Sequence, residues 1–437
     1  MELNIARVTI FNYEMKENIE VTRLSNGLTI LTEKMPDVRS ATLGFFYRIG
    51  SRNEPNELNG ICHFIEHCVF KGTKKRNALQ IAIETDRLGG HFDAFTSHEE
   101  TAFTIKVVDK QIPQAFDLIA DMIANPLFDE NDLQHEQNVI IEEIKMVEDT
   151  PEELLNELFS QKLFPKHPLG LCIAGTPKTV KTFNHEVTRK FHKENFNAQN
   201  LIITAAGNIE HTQILELAKS FFGQESKIKN QKSKIKSPKI KAPILLKQKR
   251  NLEQTHLLIA TPFVEAKSDK RYAANLLASV LGGGTSSRLW QKIREENGLA
   301  YAVGSSAVSY QDCGLFQIFA ATSPENFNKT IDLSIEELQR IKREPIPEEE
   351  LQLAKDQLSA SLLLGLEDSS VRAGNLASCE IIHGRQISVE ETLQNIEKVS
   401  IGDLQKLANE FFKTENIALA GLGNLKGEKI GRGRLEV

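Results

Sequence analysis

The feature that most constrains the fold is that the chain repeats itself once. FNAQNLIITAAGNIE, starting at Phe196, aligns with FKTENIALAGLGNLK, starting at Phe412, at an offset of 216. This sets Phe196 over Phe412, Asn200 over Asn416, Gly207 over Gly423 and Asn208 over Asn424. Upstream, FDENDLQHEQNVIIEEI (128–144) parallels IPEEELQLAKDQLSASL (346–362), with Leu133 over Leu351 at an offset of 218. Two separate stretches sharing nearly one offset point to a duplication, and so long a period excludes a solenoid. A chain of 437 residues also exceeds what a single core organises. The expectation is two homologous domains, 1–225 and 246–437, joined by a linker at 226–245.

The linker region is rich in lysine, with nine between Lys227 and Lys249, two prolines and no interleaved aromatic residue. It reads as a solvated connector running into a strand, since a base-stacking surface needs aromatics. A net charge of −6 gives no reason to expect a nucleic-acid partner. Within the first half, Leu28–Leu31, Ala41–Ile49 and Glu100–Val108 read as strands, with a hairpin turn at Asn26-Gly27. Helices are expected at 57–70, 79–88, 112–124 and 130–148. Strand groups set apart from helix groups indicate α+β domains, each a mainly antiparallel sheet with helices packed on one face.

The helix expected at 57–70 contains CHFIEHCVF, apolar nearly all round except for one polar stripe. At about 100° per residue, with His63 at zero, His67 lies near about +40° and Glu66 near about −60°. Asn59 completes the stripe. Buried polar groups must converge on a partner. Two imidazoles one turn apart fit a divalent metal ion, and the carboxylate beside them fits a group that handles a proton on water. Cys62 and Cys68 point away from the stripe and read as packed thiols.

A catalytic zinc site typically takes three protein ligands and leaves one position open. The helix at 130–148 offers two candidates for the third. With Glu136 at zero, Leu133, Val139, Ile140, Ile144, Met146 and Val147 span an apolar arc from about −80° to about +80°. Glu143 falls within that arc, whereas Glu142 lies on the solvated flank. Either Glu136 or Glu143 can therefore serve.

His63-Phe64-Ile65-Glu66-His67 matches the inverted zincin pattern H-x-x-E-H. Together with GSRNE (50–54), GICHFIEHCVFKGT (60–73), GGHFDAFTSHEETAF (89–103), EQNVIIEEIKMVEDTP (136–151) and LGGGTSSRLWQKIREENGLAYAV (281–303), it resembles the pitrilysin-type metallopeptidases. The mitochondrial-processing-peptidase-like bacterial branch is the nearest likeness, and the resemblance spans essentially the whole chain. It implies a zinc endopeptidase acting on unfolded peptides or presequence-like segments, with His63, His67 and Glu143 as ligands and one zinc per chain. Glu66 would be the general base and Glu136 an auxiliary carboxylate. Arg294 and Tyr301 would hold substrate near the metal, and the strand Asp93-Ala94-Phe95-Thr96 would pair with the peptide.

This chain departs from the family in two places. Asp93 stands where the family commonly has asparagine, and Cys68 where it has methionine. Opposite Glu136 and Glu143 the repeat carries Ala354 and Ser361, so the second half is expected to hold no metal. The family's working unit of four such domains implies a homodimer, or a heterodimer with a related chain. The competing implication is a non-catalytic scaffold like the core subunits of respiratory complexes. Five cysteines without tight spacing, no signal-like N-terminus and no run of roughly 20 apolar residues lead us to expect a cytoplasmic protein without membrane contact.

Overall fold

A computed structural model describes residues 17–224, 235–425 and 427–437. The N-terminal stretch read for targeting and the first part of the lysine-rich linker lie outside these residues. Each half forms one sheet. The first has the order β1-β2-β6-β3-β5-β4. Its strands are β1 (Ile19–Arg23), β2 (Thr29–Lys34), β3 (Ser40–Tyr47), β4 (His91–Thr96), β5 (Thr101–Val108) and β6 (Leu201–Gly207). The second has the order β7-β11-β8-β10-β9. It comprises β7 (Ile244–Gln248), β8 (Thr255–Phe263), β9 (Ala300–Ser309), β10 (Gly314–Thr322) and β11 (Ala418–Gly423).

All neighbours are antiparallel except β2–β6 and β7–β11, so both sheets place their parallel pair at the same point of the repeat. The matched glycines have a shared physical reason. Gly207 and Gly423 sit at φ +128° and +154°, and a Cβ on Gly207 would lie 2.3 Å from the Ser40 carbonyl oxygen. A side chain there would meet both backbone strain and a collision. Asn26-Gly27 turns β1 into β2 as expected, with Gly27 at φ +94°.

Helices α1 (Ile61–Cys68), α2 (Ala78–Leu88), α3 (Ile112–Ala124) and α4 (Glu130–Asp149) cover one side of the first sheet. Phe45 of β3 meets Phe116 of α3 edge-on at 5.1 Å in this core. The opposite side is not open. The helix Ser369–His383, from the second half, lays Leu376 and Ala377 against Leu31, Phe46, Ala102 and Ile202. The second half receives the reciprocal cover. Here α5 (Pro151–Leu163), from the first half, buries Leu155, Phe159 and Leu163 against β8 and β11. This two-sided burial explains why β3 and β6 read as continuous apolar runs rather than alternating ones. Ion pairs fasten the exchanged helix. Glu380 takes Arg23 at 2.7 Å and Arg48 at 3.3 Å, and Arg372 pairs with Glu33.

Two local expectations fail for identifiable reasons. The buried helix begins at Ile61, not residue 57, because Gly60 adopts φ +100° where the chain passes Ala174 and Gly175. Glu54 then caps the helix, accepting from the Gly60 and Cys62 amides at 2.7 and 2.8 Å. Asn59 consequently leaves the metal stripe and donates to Glu54 and to the Cys172 carbonyl. On α4 only Leu133, Glu136 and Ile140 are buried, and Met146 of the predicted apolar arc is 67% exposed. The face of α4 that meets α1 is narrower than the arc.

Candidate metal centre

The short helix α1 sets His63 and His67 one turn apart, with ring centroids 4.7 Å from each other. Helix α4 packs against α1 and supplies the third group. Glu143 Oε2 lies 3.9 Å from His63 Nε2 and 3.6 Å from His67 Nε2, and the three donor atoms all fall within 4.8 Å of one another. Tetrahedral zinc with bonds of about 2.0–2.1 Å has donor–donor edges of about 3.4 Å. Both Glu143 edges come within about half an ångström of that value, so the three side chains suit such an ion once the rings close around it. Among the described residues this is the one such cluster, and nothing comparable occurs in the second half. His256 there lies 3.7 Å from Glu152 instead.

The wheel left Glu136 and Glu143 as equals, and the geometry separates them. Glu136 reaches the far side of the His67 ring, where Nδ1–H donates to its Oε2 at 3.1 Å. Its Oε1 receives the Lys71 ammonium at 2.7 Å. A carboxylate on Nδ1 fixes the tautomer and turns the Nε2 lone pair toward the metal position. Burial alone would raise the Glu136 carboxyl, but the His67 and Lys71 contacts outweigh it and hold it below its usual value. Burial, with His67 nearby, lowers His63 to about 4, so this imidazole is neutral and ready to bind a cation. Burial also opposes charge on His67, but the surrounding carboxylates win and raise it.

Glu66 stands beside this cluster without joining it. Its Oε2 accepts from Thr96 Oγ1 at 2.6 Å. Burial raises its carboxyl against that hydrogen bond, the direction that suits a group taking and returning a proton near neutral pH. Glu66 faces a cavity of about 490 Å³, also lined by His63, Ala94, Phe95 and Thr96. Asp93 is exposed on β4 and outside that lining. Strand β4 is an edge strand, paired only with β5, so its other edge is open to an extended peptide. Cys62 and Cys68 are buried thiols, as their wheel positions indicated.

The predicted pair from the second half sits elsewhere. Arg294, on a π-wound helix at Trp290–Glu295, stacks its guanidinium 4.2 Å from the Trp290 ring and 4.9 Å from that of Tyr301. Its Nη1 donates to the Tyr301 carbonyl at 2.8 Å. Tyr301 is 76% exposed, and neither residue lines the cavity. Sequence reasoning missed several participants. Lys71 had a usable signal, being one turn beyond His67 on the same face of the chain. The Thr96 link to Glu66, and Cys172 and His98 in the cavity wall, had none.

Sequence profiles of two families match. The one described as "Insulinase (Peptidase family M16)" covers residues 29–177, and "Peptidase M16 inactive domain" covers 182–358. An uncharacterized zinc protease of Rickettsia bellii is 38% identical over 419 residues, spanning 94% of this chain and 100% of that protein. One from Bacillus subtilis is 36% identical over 395 residues, spanning 90% and 96%. Among solved structures, a protease from Helicobacter pylori superposes with TM-score 0.84 at 24% identity, covering 93% of this chain and 99% of that one. A chain of Complex III2 from Candida albicans superposes at 0.83 with 20% identity, covering 96% and 100%. At these identities the structural matches speak for the fold.

Proposed function

The chain belongs to the M16 peptidase family, and we propose that it is a zinc-dependent endopeptidase hydrolysing unfolded peptides or presequence-like segments. The observation that carries this reading is the convergence of His63, His67 and Glu143 around one point, with Glu66 beside it. His63 Nε2, His67 Nε2 and a Glu143 oxygen would hold one zinc ion per chain. Bound there, zinc would supply Lewis-acid polarisation of the scissile carbonyl and acidify an attacking water.

The chain's own residues account for the remaining steps. The open edge of β4, from Asp93 to Thr96, pairs with the peptide backbone and holds it extended, giving affinity without strict sequence demand. Asp93 can only accept hydrogen bonds when ionised, so it addresses a peptide N–H rather than a carbonyl. Thr96 Oγ1 fixes one oxygen of Glu66, leaving the other to take a proton from water and pass it to the leaving amine.

In one chain Arg294 and Tyr301 stand apart from the cavity. We therefore assign them to a homodimer in which Arg294 of the partner subunit and Tyr301 of the partner subunit face this zinc position; a heterodimer with a related chain would work equally. No helix among the described residues is long and apolar enough to cross a membrane.

The likeness to a Complex III2 chain and the "inactive" description of the second-half profile favour a second reading, a non-catalytic scaffold. Glu66→Gln separates the two. For a peptidase, the variant keeps zinc and loses cleavage of unstructured peptides by about 10²-fold or more. Cleavage unaffected by that change, or by chelation, defeats the assignment.

A further inference from the structure

The second half touches the turn that follows Thr96. We propose that Arg52, Glu99 and Asp312 form a positioning clamp through which the second half sets the Thr96–Glu66 contact in the first.

The turn joining β4 to β5, Ser97–Glu100, is held on one side by its own half. The Ser51 amide donates to the Ser97 carbonyl at 3.0 Å and the Arg52 amide to the His98 carbonyl at 2.8 Å. The approach is so close that a Cβ on Gly50 would lie 2.5 Å from the Ser97 oxygen. On the other side stands the turn of the β9–β10 hairpin. The Gln311 amide donates to both Glu99 oxygens, at 3.2 and 3.1 Å. Arg52 joins the two hairpins, with Nη1 on Glu99 and Nη2 on Asp312, each at 2.6 Å. Arg52 as a whole is 6% exposed. A buried cation with two carboxylates in fixed directions tolerates little displacement.

Only Ser97 and His98 separate Glu99 of this clamp from Thr96, whose side chain touches the general base. Thr96 is the last residue of β4, and its hydroxyl holds Glu66 Oε2 at 2.6 Å. Ser97 immediately follows, and its carbonyl and Oγ are both tied into the turn. Releasing Glu99 from the second hairpin loosens the turn and, through it, the hydroxyl that orients Glu66. Misplacement of a catalytic group by about 1 Å can cost on the order of 100-fold in rate.

The proposal rests on the peptidase reading, and its test has one arm that does not. With full-length protein, Asp312→Asn should lower kcat about 10- to 100-fold, with KM within about twofold and zinc content unchanged. Thr96→Val should do the same, and the double variant should be no slower than Thr96→Val alone, because both act through one contact. Asp312→Glu should recover part of the rate. Hydrogen exchange supplies the independent arm, since amides of 97–100 should lose protection in Asp312→Asn whether or not peptides are cleaved. Should Asp312→Asn not fold, Glu99→Gln carries the same comparisons. Multiplying rate losses, or unchanged exchange at 97–100, overturns the clamp. An inactive wild type that still shows the exchange change sinks only the peptidase reading.

Discussion

Replacing Glu136 by glutamine probes the centre while leaving the three proposed zinc ligands in place. Glu136 is buried, so its contacts are shielded from water. One oxygen accepts from His67 Nδ1–H and the other faces the Lys71 ammonium. The amide keeps one acceptor but turns an N–H donor toward whichever of these two donors it abandons. Loss of a partner of this kind typically weakens metal binding 10- to 100-fold, or about 1.4 to 2.7 kcal/mol. The lower figure applies if the glutamine oxygen stays on His67, and the higher if it turns to Lys71. Competition with a chromophoric chelator near neutral pH reads the zinc dissociation constant. Glu66→Gln serves as the charge-matched control, since that carboxylate is hydrogen-bonded to Thr96 rather than to an imidazole. Zinc binding within about twofold of wild type in Glu136→Gln refutes the orienting role. Equal weakening in both variants refutes it too, because the effect would then be the general field of a nearby negative charge.

The assignment of Arg294 and Tyr301 to the partner's site predicts complementation. Glu66→Gln and Tyr301→Phe proteins, each inactive alone, should regain about a quarter of wild-type activity when mixed equally and allowed to exchange subunits; no recovery means the pair acts within its own chain or not at all. Stability should fall in acid through His192, which burial holds at about 4 against an ordinary 6.5. The unfolded chain takes up a proton that the folded one refuses, so stability is full above pH 6.5 and declines toward pH 4, by up to about 3 kcal/mol from this ring. His192→Gln leaves a nitrogen in reach of the Ile123 carbonyl but does not titrate, so urea unfolding of that variant should show a shallower pH slope; an unchanged slope rules His192 out.

What could be read from residues alone divides along one line. His63, Glu66 and His67 were legible because one helix carries all three, and periodicity alone puts them on one stripe. The third member of the cluster was legible only as a pair of candidates. A wheel gives direction around α4 but not which turn of it crosses α1, and that crossing places Glu143 on the Nε2 atoms and Glu136 on Nδ1. Asn59 misled because Gly60, at φ +100°, breaks the helix that the apolar pattern continues through. The exchange of α5 for the helix Ser369–His383 could not be seen, since each is an ordinary amphipathic pattern whose destination depends on how the two halves sit together. Arg294 and Tyr301 came from resemblance alone, and within one chain Arg294 stacks on Tyr301 and Trp290 with Glu295 at 3.9 Å.

The exchanged helices also govern how the polypeptide must be made. β6 ends at Gly207, but the residues that close the far side of its sheet, Leu376 and Ala377, come from the helix ending at His383. At ribosomal speeds of about 5–20 residues per second, the first sheet is complete but bare on one side for roughly 10 to 35 s. A nascent chain of this design is a client for holding chaperones during that interval. A message truncated after the first domain would yield a product that aggregates rather than a small working peptidase. By the same token, a protease nick within the lysine-rich connector would leave the two pieces clasped together.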